Sequence, residues 1–271
     1  MNKHFYDKVV AISGATSGIG KALATLLIQY GAKVAICGRD LKRLQQVETE
    51  INSKNLTVFK ADVSKEEDCE AFISHTIKKF QVLDILINNA GISMRAMFQD
   101  VDLNVLRQSM DINFWGTVYC TKYALPYILK SKGSIAGISS IAGYKGLPCR
   151  TGYSSSKFAM QGFLESLRIE MLHQNVNVLW ISPGFVASNI RNTALNADGK
   201  AQKETPLNEK NLMSAEECAE RILKAIEKRK RTLIMSTQGK LTVWMNKFFP
   251  SFVDNQVYKH FENEPDSPLK K

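Results

Sequence analysis

The sequence predicts an α/β fold built on one parallel sheet. Short runs of β-branched and apolar residues alternate along the chain with longer segments of helical periodicity. Most of the short runs are almost continuously apolar, as expected for parallel strands that are buried on both faces. A glycine-rich turn joins the first run to the first helical segment. This order indicates right-handed βαβ crossovers, and hence a Rossmann-type doubly wound parallel sheet of about seven strands with helices on both faces.

The predicted elements alternate from the N-terminus to about residue 236. The strands are expected at residues 8–13, 33–37, 57–61, 83–88, 133–139, 177–182 and 232–236. The helices are expected at residues 19–30, 41–53, 65–80, 103–130, 153–174 and 215–228, with the fourth broken near residues 113–116. No internal repeat and no linker rich in Pro, Gly or Ser divides this region, so we expect a single domain over residues 1–236.

Two segments do not follow the alternation. Residues 188–214 are polar and weakly periodic, and an insertion after a strand can form a mobile lid over a substrate. Residues 239–261 are rich in aromatic side chains at helical spacing, interrupted by Pro250. We expect residues 237–271 to form an amphipathic extension that packs on its own core or on a partner subunit, or that touches a membrane surface. The polar tail, residues 262–271, is expected to be disordered.

The composition is that of an ordinary soluble globular protein. The chain has 44% hydrophobic and 23% charged residues, and its five cysteines have neither disulfide nor metal-ligand spacing. We identify no signal peptide, and no apolar run reaches the ~20 residues that a bilayer requires. We therefore expect a cytoplasmic protein without a metal site, with peripheral membrane contact through the C-terminal segment as an added possibility.

The net charge of +10 indicates an anionic partner. An anionic cofactor or substrate, an acidic membrane surface and nucleic acid would each satisfy this charge. The densest basic run, residues 228–231, lies at the end of a predicted helix, where cations offset the negative end of the helix dipole. We interpret the run as a helix terminus and expect no nucleic-acid partner.

The turn after the first strand has the chemistry of a phosphate site. Its glycines, Gly14, Gly18 and Gly20, let the backbone approach a phosphate, while the next helix directs its free N–H groups toward it. The spacing is G-x-x-x-G-x-G rather than the general dinucleotide pattern G-x-G-x-x-G. A P-loop is disfavoured because Ala15 and Ala22 stand where that motif needs Gly and Ser or Thr.

The end of the second strand favours NADP(H) over NAD(H). NAD-binding proteins commonly place an acid here for the ribose hydroxyls, but Gly38 occupies that position. Arg39 follows, and its guanidinium suits a 2′-phosphate. We interpret Asp40 as the N-cap of the next helix, and Lys42 or Arg43 can add positive charge.

Tyr153 and Lys157 form a candidate acid–base pair. Four residues apart on a predicted helix, they share one face, and a cationic Lys157 is expected to lower the Tyr153 pKa from about 10. A phenol tuned toward neutral pH can exchange a proton with a substrate oxygen. An exposed helical pair has the same spacing, so the motif depends on its context.

With these pieces assembled, residues 6–236 resemble the short-chain dehydrogenase/reductase family. The motifs occur in family order: the glycine turn, Asp62-Val63, Asn88-Asn89-Ala90-Gly91, Asn113, Ser140, Tyr153 with Lys157, and Pro183-Gly184. Ser140 lies 13 residues before Tyr153, the customary family separation, which disfavours the neighbouring Ser139. Ser13 and Ser188 stand where the family usually has Thr, and both keep the hydroxyl.

The resemblance implies a catalytic set and a cofactor site. Tyr153 would exchange the proton, and Ser140 would hold the substrate oxygen. Lys157 would stabilise the phenolate and hold the cofactor ribose, and Asn113 would anchor a water of the proton relay. Together with Tyr153 and Lys157, the implied cofactor-binding residues are Gly14, Thr16, Ser17, Gly18, Ile19, Gly20, Arg39, Asp62, Val63, Asn89, Ala90, Gly91, Pro183, Gly184, Val186 and Ser188.

The implied function is hydride transfer between NADP(H) and a carbonyl or secondary alcohol. Residues 153–170 are similar to the family branch that acts on steroids and 3-ketosphinganine, which with the aromatic extension indicates a bulky apolar small molecule. A 3-oxoacyl thioester reductase of lipid synthesis, acting on an acidic carrier protein, is the alternative. A non-catalytic NADP-binding or membrane-surface interaction protein is an alternative of another class, although no catalytic residue is missing. The family also implies a homodimer or homotetramer.

Overall fold

One parallel sheet organises the protein, as the sequence predicts. The computed structural model describes residues 3–186, 190–202 and 212–270. The strands are β1 Val9–Ser13, β2 Lys33–Gly38, β3 Leu56–Lys60, β4 Ile85–Asn88, β5 Ser134–Ile138, β6 Asn177–Ser182 and β7 Thr232–Ile234. They are hydrogen-bonded in the order β3-β2-β1-β4-β5-β6-β7, and every pair is parallel. The doubly wound fold class is therefore confirmed.

Helices cover both faces of this sheet. They are α1 Gly18–Gln29, α2 Leu41–Ile51, α3 Glu66–Phe80, α4 Leu103–Met110, α5 Gly116–Ser131, α6 Thr151–Glu170, α7 Ala215–Glu227, α8 Thr237–Phe248 and α9 Pro250–Glu262. Alternate residues of β1 point to opposite faces. Val10 and Ile12 join a core with α1, α2 and α7, whereas Val9 and Ala11 join a core with α3, α5 and α6.

The predicted fourth helix differs from expectation at its centre. The chain is not broken near residues 113–116, because one π-helical turn, Asp111–Trp115, joins α4 to α5. The prediction located the irregularity and misjudged its nature. A π turn widens the helix without ending it and is common at functional sites. Here it contains Asn113, which is completely buried.

The aromatic extension folds as two helices. Pro250 separates them by starting α9 at its first turn, where a proline has no hydrogen bond to lose. Val253 and Phe261 are buried, whereas Trp244, Phe248 and Phe252 are exposed. The extension therefore packs on the core through one side only.

The prediction of a disordered tail is wrong for residues 262–270. Glu264 is 6% exposed and pairs with Arg95 and Arg150. The Ser267 hydroxyl donates a hydrogen bond of 2.6 Å to the carbonyl oxygen of Phe261. Local composition could not show this, because the partners of Glu264 lie far away in the sequence.

The described part of the chain adds three further observations. None of its helices is long and apolar enough to cross a membrane. None of its His, Cys, Asp and Glu side chains cluster in a way that could hold a metal ion. The five cysteines are free thiols and all are buried.

Candidate active site

A cavity of about 510 Å³ lies at the carboxyl ends of the central strands. Strand β1 sits between β2 and β4, so the chain winds outward from β1 in both directions. Such a switch point opens a crevice in which doubly wound proteins bind ligands. The strand order alone therefore accounts for the position of the cavity.

The glycine turn forms one wall of this cavity. Gly14 and Gly18 have φ angles of 66° and 53°, in the left-handed region that glycine adopts readily. A Cβ on Gly14 would lie 2.6 Å from the Cα of Ala90, so the turn packs against the backbone that follows β4. Gly14, Thr16, Ser17, Gly18 and Ile19 line the cavity.

Gly20 was predicted to contact the cofactor, but it does not line the cavity. A Cβ there would be 2.5 Å from Asn89 Nδ2 and 2.6 Å from the Gly14 oxygen. Gly20 thus lets α1 approach the turn closely. Its effect on a bound phosphate would be indirect.

Ser13 and Asn89 hold the turn from below. The Ser13 hydroxyl oxygen accepts hydrogen bonds of 3.1 Å from the backbone N–H groups of Asn89 and Ala90. The Asn89 amide donates to the carbonyl oxygens of Ser13 and Gly14, at 3.1 and 2.8 Å. Ser13 stands where the family usually has threonine, and its hydroxyl oxygen still accepts these two backbone hydrogen bonds.

Two arginines face the end of the cavity beside β2. Arg39 and Arg43 both line it, and Asp40 between them accepts hydrogen bonds from the backbone N–H groups of Lys42 and Arg43 at 3.0 and 3.2 Å. Asp40 is the N-cap of α2, as its position predicts. A Cβ on Gly38 would lie 2.7 Å from Thr16 Cγ2, so there is little room for an acidic side chain at that position.

The wall next to this end is formed by the loop after β3. Asp62 and Val63 line the cavity together with Ala61. Oδ1 of Asp62 accepts hydrogen bonds from the Ser64 backbone N–H and hydroxyl, at 3.1 and 2.8 Å. These contacts fix the carboxylate at the rim of the cavity.

The opposite end of the cavity brings together Ser140, Tyr153 and Lys157. Ser140 begins a short 3₁₀ turn after β5, and Tyr153 and Lys157 lie one turn apart on α6. Nζ of Lys157 donates a hydrogen bond of 2.8 Å to the carbonyl oxygen of Ile138 and lies 5.8 Å from the centre of the Tyr153 ring. Tyr153, Ser140 and the end of β5 therefore surround one polar corner.

Ser139 also lines this corner, but its side chain is occupied. Its hydroxyl oxygen accepts a hydrogen bond of 2.8 Å from Gln161 Nε2, and the residue is buried. Ser140 is half-buried, and its hydroxyl oxygen accepts a 3.2 Å hydrogen bond from the Ala142 N–H. Its side chain also hydrogen-bonds with Tyr153. The Ser139 hydroxyl is therefore engaged by Gln161, and the catalytic role of Ser140 stays a prediction.

The pKa of Tyr153 is not lowered as the sequence argument predicted. Burial raises the pKa of Tyr153, while hydrogen bonding with Ser140 and the positive charge of Arg150 oppose the rise. Burial also lowers the pKa of Lys157 to about 7. A lysine that titrates near neutrality carries only part of a positive charge there, so its effect on the phenol is weaker than a full cation would give.

Asn113 lies behind the cavity, outside its lining. Its Oδ1 accepts from the Ile92 N–H at 2.8 Å, and its Nδ2 donates to the Ile92 oxygen at 3.0 Å and to the Ser156 hydroxyl at 2.8 Å. These contacts tie the loop after β4 to α6. A Cβ on Gly91 would lie 3.2 Å from Asn113 Oδ1 and 3.4 Å from Lys157 Nζ, so only a small residue fits between them.

The loop after β6 completes the cavity. Pro183, Gly184 and Val186 line it, as do Asn89, Ala90 and Gly91 on the facing side. The predicted contact at Ser188 lies outside the described residues. The predicted lid is described at residues 190–202 and 212–214, where Leu195 forms a parallel bridge with Met94.

Several lining residues carry no motif and were not predicted from sequence. They come from the loop after β4, from α4, from the π-helical turn and from the predicted lid: Ile92, Gln108, Ile112, Ile190, Arg191, Thr193, Leu195 and Ala201. Their segments are far apart in sequence and meet only because the parallel strands end at one edge. Only the general position after a strand end could have indicated them.

Comparison with known proteins agrees with this geometry. The model of the short chain dehydrogenase family matches residues 8–199. Dehydrogenase/reductase SDR family member 7B of Mus musculus is 37% identical, covering 85% of this chain and 73% of the relative. The 11-beta-hydroxysteroid dehydrogenase-like 4A protein of Arabidopsis thaliana is 36% identical, covering 91% of this chain and 82% of the relative.

A solved structure shows the same fold. A short-chain dehydrogenase/reductase from Burkholderia phymatum, in complex with NAD, superposes with a TM-score of 0.80. It covers 94% of this chain and 97% of that one at 21% sequence identity. At this identity the likeness supports the fold and leaves the substrate open.

Proposed function

The chain belongs to the short-chain dehydrogenase/reductase family of nicotinamide-dependent oxidoreductases, and from that premise we propose that it is an NADP(H)-dependent reductase of bulky apolar carbonyl compounds. The reverse reaction would oxidise the corresponding secondary alcohol. One observation carries the proposal: a single cavity joins the glycine turn and Arg39 at one end to Ser140, Tyr153 and Lys157 at the other. A cofactor spanning that distance would bring its reactive ring to the polar corner.

When bound, the nicotinamide supplies or accepts the hydride. The protein's own groups then have to hold the carbonyl oxygen and deliver one proton to it. The Ser140 hydroxyl would donate a hydrogen bond to that oxygen, and Tyr153 would give up its phenolic proton. Lys157, whose pKa of about 7 allows both protonation states near neutrality, would return a proton to the phenolate.

The preference for NADP(H) is supported by charge and space. Arg39 and Arg43 line the cavity beside Gly38, where an acidic side chain would collide with Thr16. Arginine binds a phosphate through paired N–H donors, whereas an acid at the strand end would bind ribose hydroxyls. The chain has the first arrangement and lacks the second.

The apolar substrate is supported by the lining of the catalytic end. Ile92, Ile190 and Leu195 line the same cavity as Ser140 and Tyr153, and Gln108, Arg191 and Thr193 add polar groups to that lining. Such a surface suits a hydrocarbon skeleton with few oxygens. A relative named as a steroid dehydrogenase points in the same direction.

Phenylalanine at position 153 tests the proposal. Wild type, Tyr153→Phe and the control Tyr119→Phe are assayed with NADPH on long-chain ketones, steroid ketones, short polar ketones and a carrier-bound 3-oxoacyl thioester. Removing the phenolic proton is expected to lower kcat/KM by about 10²–10⁴. Tyr119 lies outside the cavity, so its variant should match wild type.

Three results would count against the proposal. Equal activity of Tyr153→Phe and wild type would remove the tyrosine from the reaction. Turnover of the carrier-bound thioester alone would favour a 3-oxoacyl thioester reductase. NADPH binding without turnover of any compound would favour a non-catalytic binding protein.

A second proposal concerns the surroundings of the enzyme. The exposed side of α8 and α9 would make peripheral contact with a membrane in a protein that is otherwise cytoplasmic. Trp115 and Phe158, exposed on the helical faces before and after β5, would lie between subunits of a homodimer or homotetramer. The exposure of these large apolar side chains supports both proposals.

A further inference from the structure

Glu264 is a buried carboxylate held between two arginines. It is 6% exposed, and Nη2 of Arg150 donates to both of its oxygens at 3.1 and 3.2 Å. Nη2 of Arg95 lies 3.3 Å from Oε2 of the same carboxylate. Buried charges are costly unless they are paired, so this cluster fixes the C-terminal tail to two distant segments.

Arg150 connects the cluster to the catalytic helix. It directly precedes α6, three residues before Tyr153, and its guanidinium lies 4.4 Å from the centre of the Phe261 ring. The preceding residue, Cys149, has a φ of 61°, an unfavourable value for a residue with a side chain. Such strained backbone persists only where its surroundings hold it in place.

Arg95 connects the cluster to the cavity wall. Its guanidinium donates a hydrogen bond of 2.7 Å to the Pro265 oxygen, and its backbone N–H donates one of 2.8 Å to the Leu195 oxygen. The neighbouring Ala96 N–H donates to the Cys149 oxygen at 2.9 Å. Glu264 therefore joins the tail, the wall that carries Leu195 and the start of α6.

We propose that Glu264 is a positioning residue for the reaction, which holds the start of α6 and offsets the charge of Arg150 beside Tyr153. The inference rests on the proposed function, because it assigns Tyr153 the proton transfer. Its geometric basis is that one buried carboxylate, on the C-terminal tail, contacts both Arg95 and Arg150.

The charged groups around the cluster set the direction of the effect. Lys157 on α6 and Arg150 directly before α6 face Tyr153, and Ser140 faces it from the loop after β5. The hydrophobic cluster that Tyr153 packs against contains Met94, Val105 and Leu195. Ionisable groups near Glu264 also include Arg95, the Cys149 thiol and Lys270, whose Nζ donates to the Glu264 backbone oxygen at 3.3 Å.

Burial raises the pKa of Tyr153, and the positive charge of Arg150 opposes that rise. The Glu264 carboxylate opposes that field, so removing its charge should lower the Tyr153 pKa further. Alcohol oxidation needs the phenolate and rises with pH through this pKa. The rise should therefore move to lower pH when Glu264 is neutralised.

The test is the pH profile of kcat/KM for alcohol oxidation by the intact protein, with the best alcohol of the substrate panel. Glu264→Gln is expected to move the rise to lower pH by about 0.5–1 unit, whereas Glu264→Asp keeps the charge and the wild-type position. Asp254→Asn is the matched control. Asp254 lies on the same extension as Glu264 and pairs with Lys145 of the core domain. Removing the Asp254 charge should leave the pH profile in place.

A merely structural role would lower the melting temperature and kcat without moving the profile, and that result would overturn the proposal. NADPH titration of each variant shows whether it is folded. If Glu264→Gln does not fold, the double variant Glu264→Gln/Arg95→Gln buries less unpaired charge and still leaves Arg150 without its carboxylate. A wild-type profile in this double variant would also overturn the proposal.

The two proposals fail in different ways. If Tyr153→Phe is fully active or wild type has no turnover, the proposed function is wrong. If wild type and Tyr153→Phe behave as expected while Glu264→Gln keeps the wild-type profile, only the role of Glu264 is wrong.

Discussion

Arg39 and Arg43 point into one end of the cavity, while the acidic residue between them is turned into the helix backbone. The Asp40 carboxylate accepts hydrogen bonds from the Lys42 and Arg43 backbone N–H groups and forms an ion pair with Arg43 Nε at 3.5 Å. These contacts engage the Asp40 carboxylate at the strand end, where NAD-binding proteins commonly use an acid for the ribose hydroxyls. At the scale of single residues, the NADP(H) preference that we propose therefore rests on the two guanidinium groups.

Neutralising Arg39 should separate the two cofactors. Arg39→Gln is expected to raise the Kd for NADPH about tenfold or more, because a charge-assisted contact to phosphate contributes about 1.5–3 kcal/mol, and to leave the Kd for NADH nearly unchanged. Fluorescence titration measures both constants. Arg221→Gln, which removes a surface arginine paired with Glu217, is the matched control.

An equal loss of affinity for both cofactors in Arg39→Gln would mean that Arg39 contacts the common part of the dinucleotide. No loss for either would place the 2′-phosphate elsewhere. Tighter binding of NADH than NADPH by wild type would contradict the preference itself.

The placement of single residues could be predicted where spacing along one element decides the geometry. Tyr153 and Lys157 share a helix face, and Ser140 starts the turn beside them, so their convergence could be foreseen. The pKa of Tyr153 could not, because burial depends on the whole fold. Glu264 was also beyond prediction, since its partners Arg95 and Arg150 precede it by 169 and 114 residues in the sequence.

The elements that build the site meet at very short distances. Helix α1 touches the glycine turn at Gly20, and the π-helical turn between α4 and α5 places Asn113 against Ile92 and Ser156. Alternating apolar runs predicted the order of strands and helices, because buried parallel strands leave that pattern. The π turn was not predicted, since one extra residue in a helical turn hardly changes an apolar period.

Two helical glycines should respond oppositely to alanine. Gly20→Ala would place a Cβ 2.6 Å from the Gly14 oxygen, and we expect a loss of about 1–3 kcal/mol in the free energy of unfolding together with weaker NADPH binding. Gly162 is exposed within α6 and has no atom within 4 Å of an added Cβ. Gly162→Ala is expected to raise the free energy of unfolding by about 0.5–1 kcal/mol.

Urea denaturation of the two variants and wild type measures these changes. Gly162→Ala also serves as the control for cofactor binding, which it should leave intact. If Gly20→Ala binds NADPH as well as wild type does, then α1 can move away from the turn without weakening cofactor binding. The close contact would then have no role in the site.

The whole molecule combines a net charge of +10 with an apolar surface on its C-terminal extension. The exposed large side chains of that surface are Leu241, Trp244, Phe248, Phe249, Phe252 and Tyr258. Exposed lysines, including Lys240 and Lys247, lie on the same helix as Trp244. Aromatic side chains beside lysines are typical of helices that lie on anionic membranes.

Membrane contact predicts that binding depends on this surface and on lipid charge. The wild-type protein should float with vesicles containing phosphatidylserine and bind neutral vesicles less, since attraction to anionic lipid adds to apolar burial. Trp244→Ser/Phe248→Ser is expected to reduce binding by about 10²-fold or more, because a fully buried large apolar side chain contributes about 1.5–3 kcal/mol. Flotation at low and high salt separates the two contributions.

The matched control replaces two equally exposed side chains elsewhere. Ile169 and Leu172 are 66% and 67% exposed at the end of α6, and Ile169→Ser/Leu172→Ser should float like wild type. A second copy of the chain could cover the same surface instead of a membrane. Light scattering of the same proteins measures their molar mass and so detects such a dimer. If Trp244→Ser/Phe248→Ser converts a dimer to a monomer and vesicle binding is absent in wild type, the surface is a subunit contact. In that case the membrane proposal is wrong, because a face buried between subunits cannot lie on lipid.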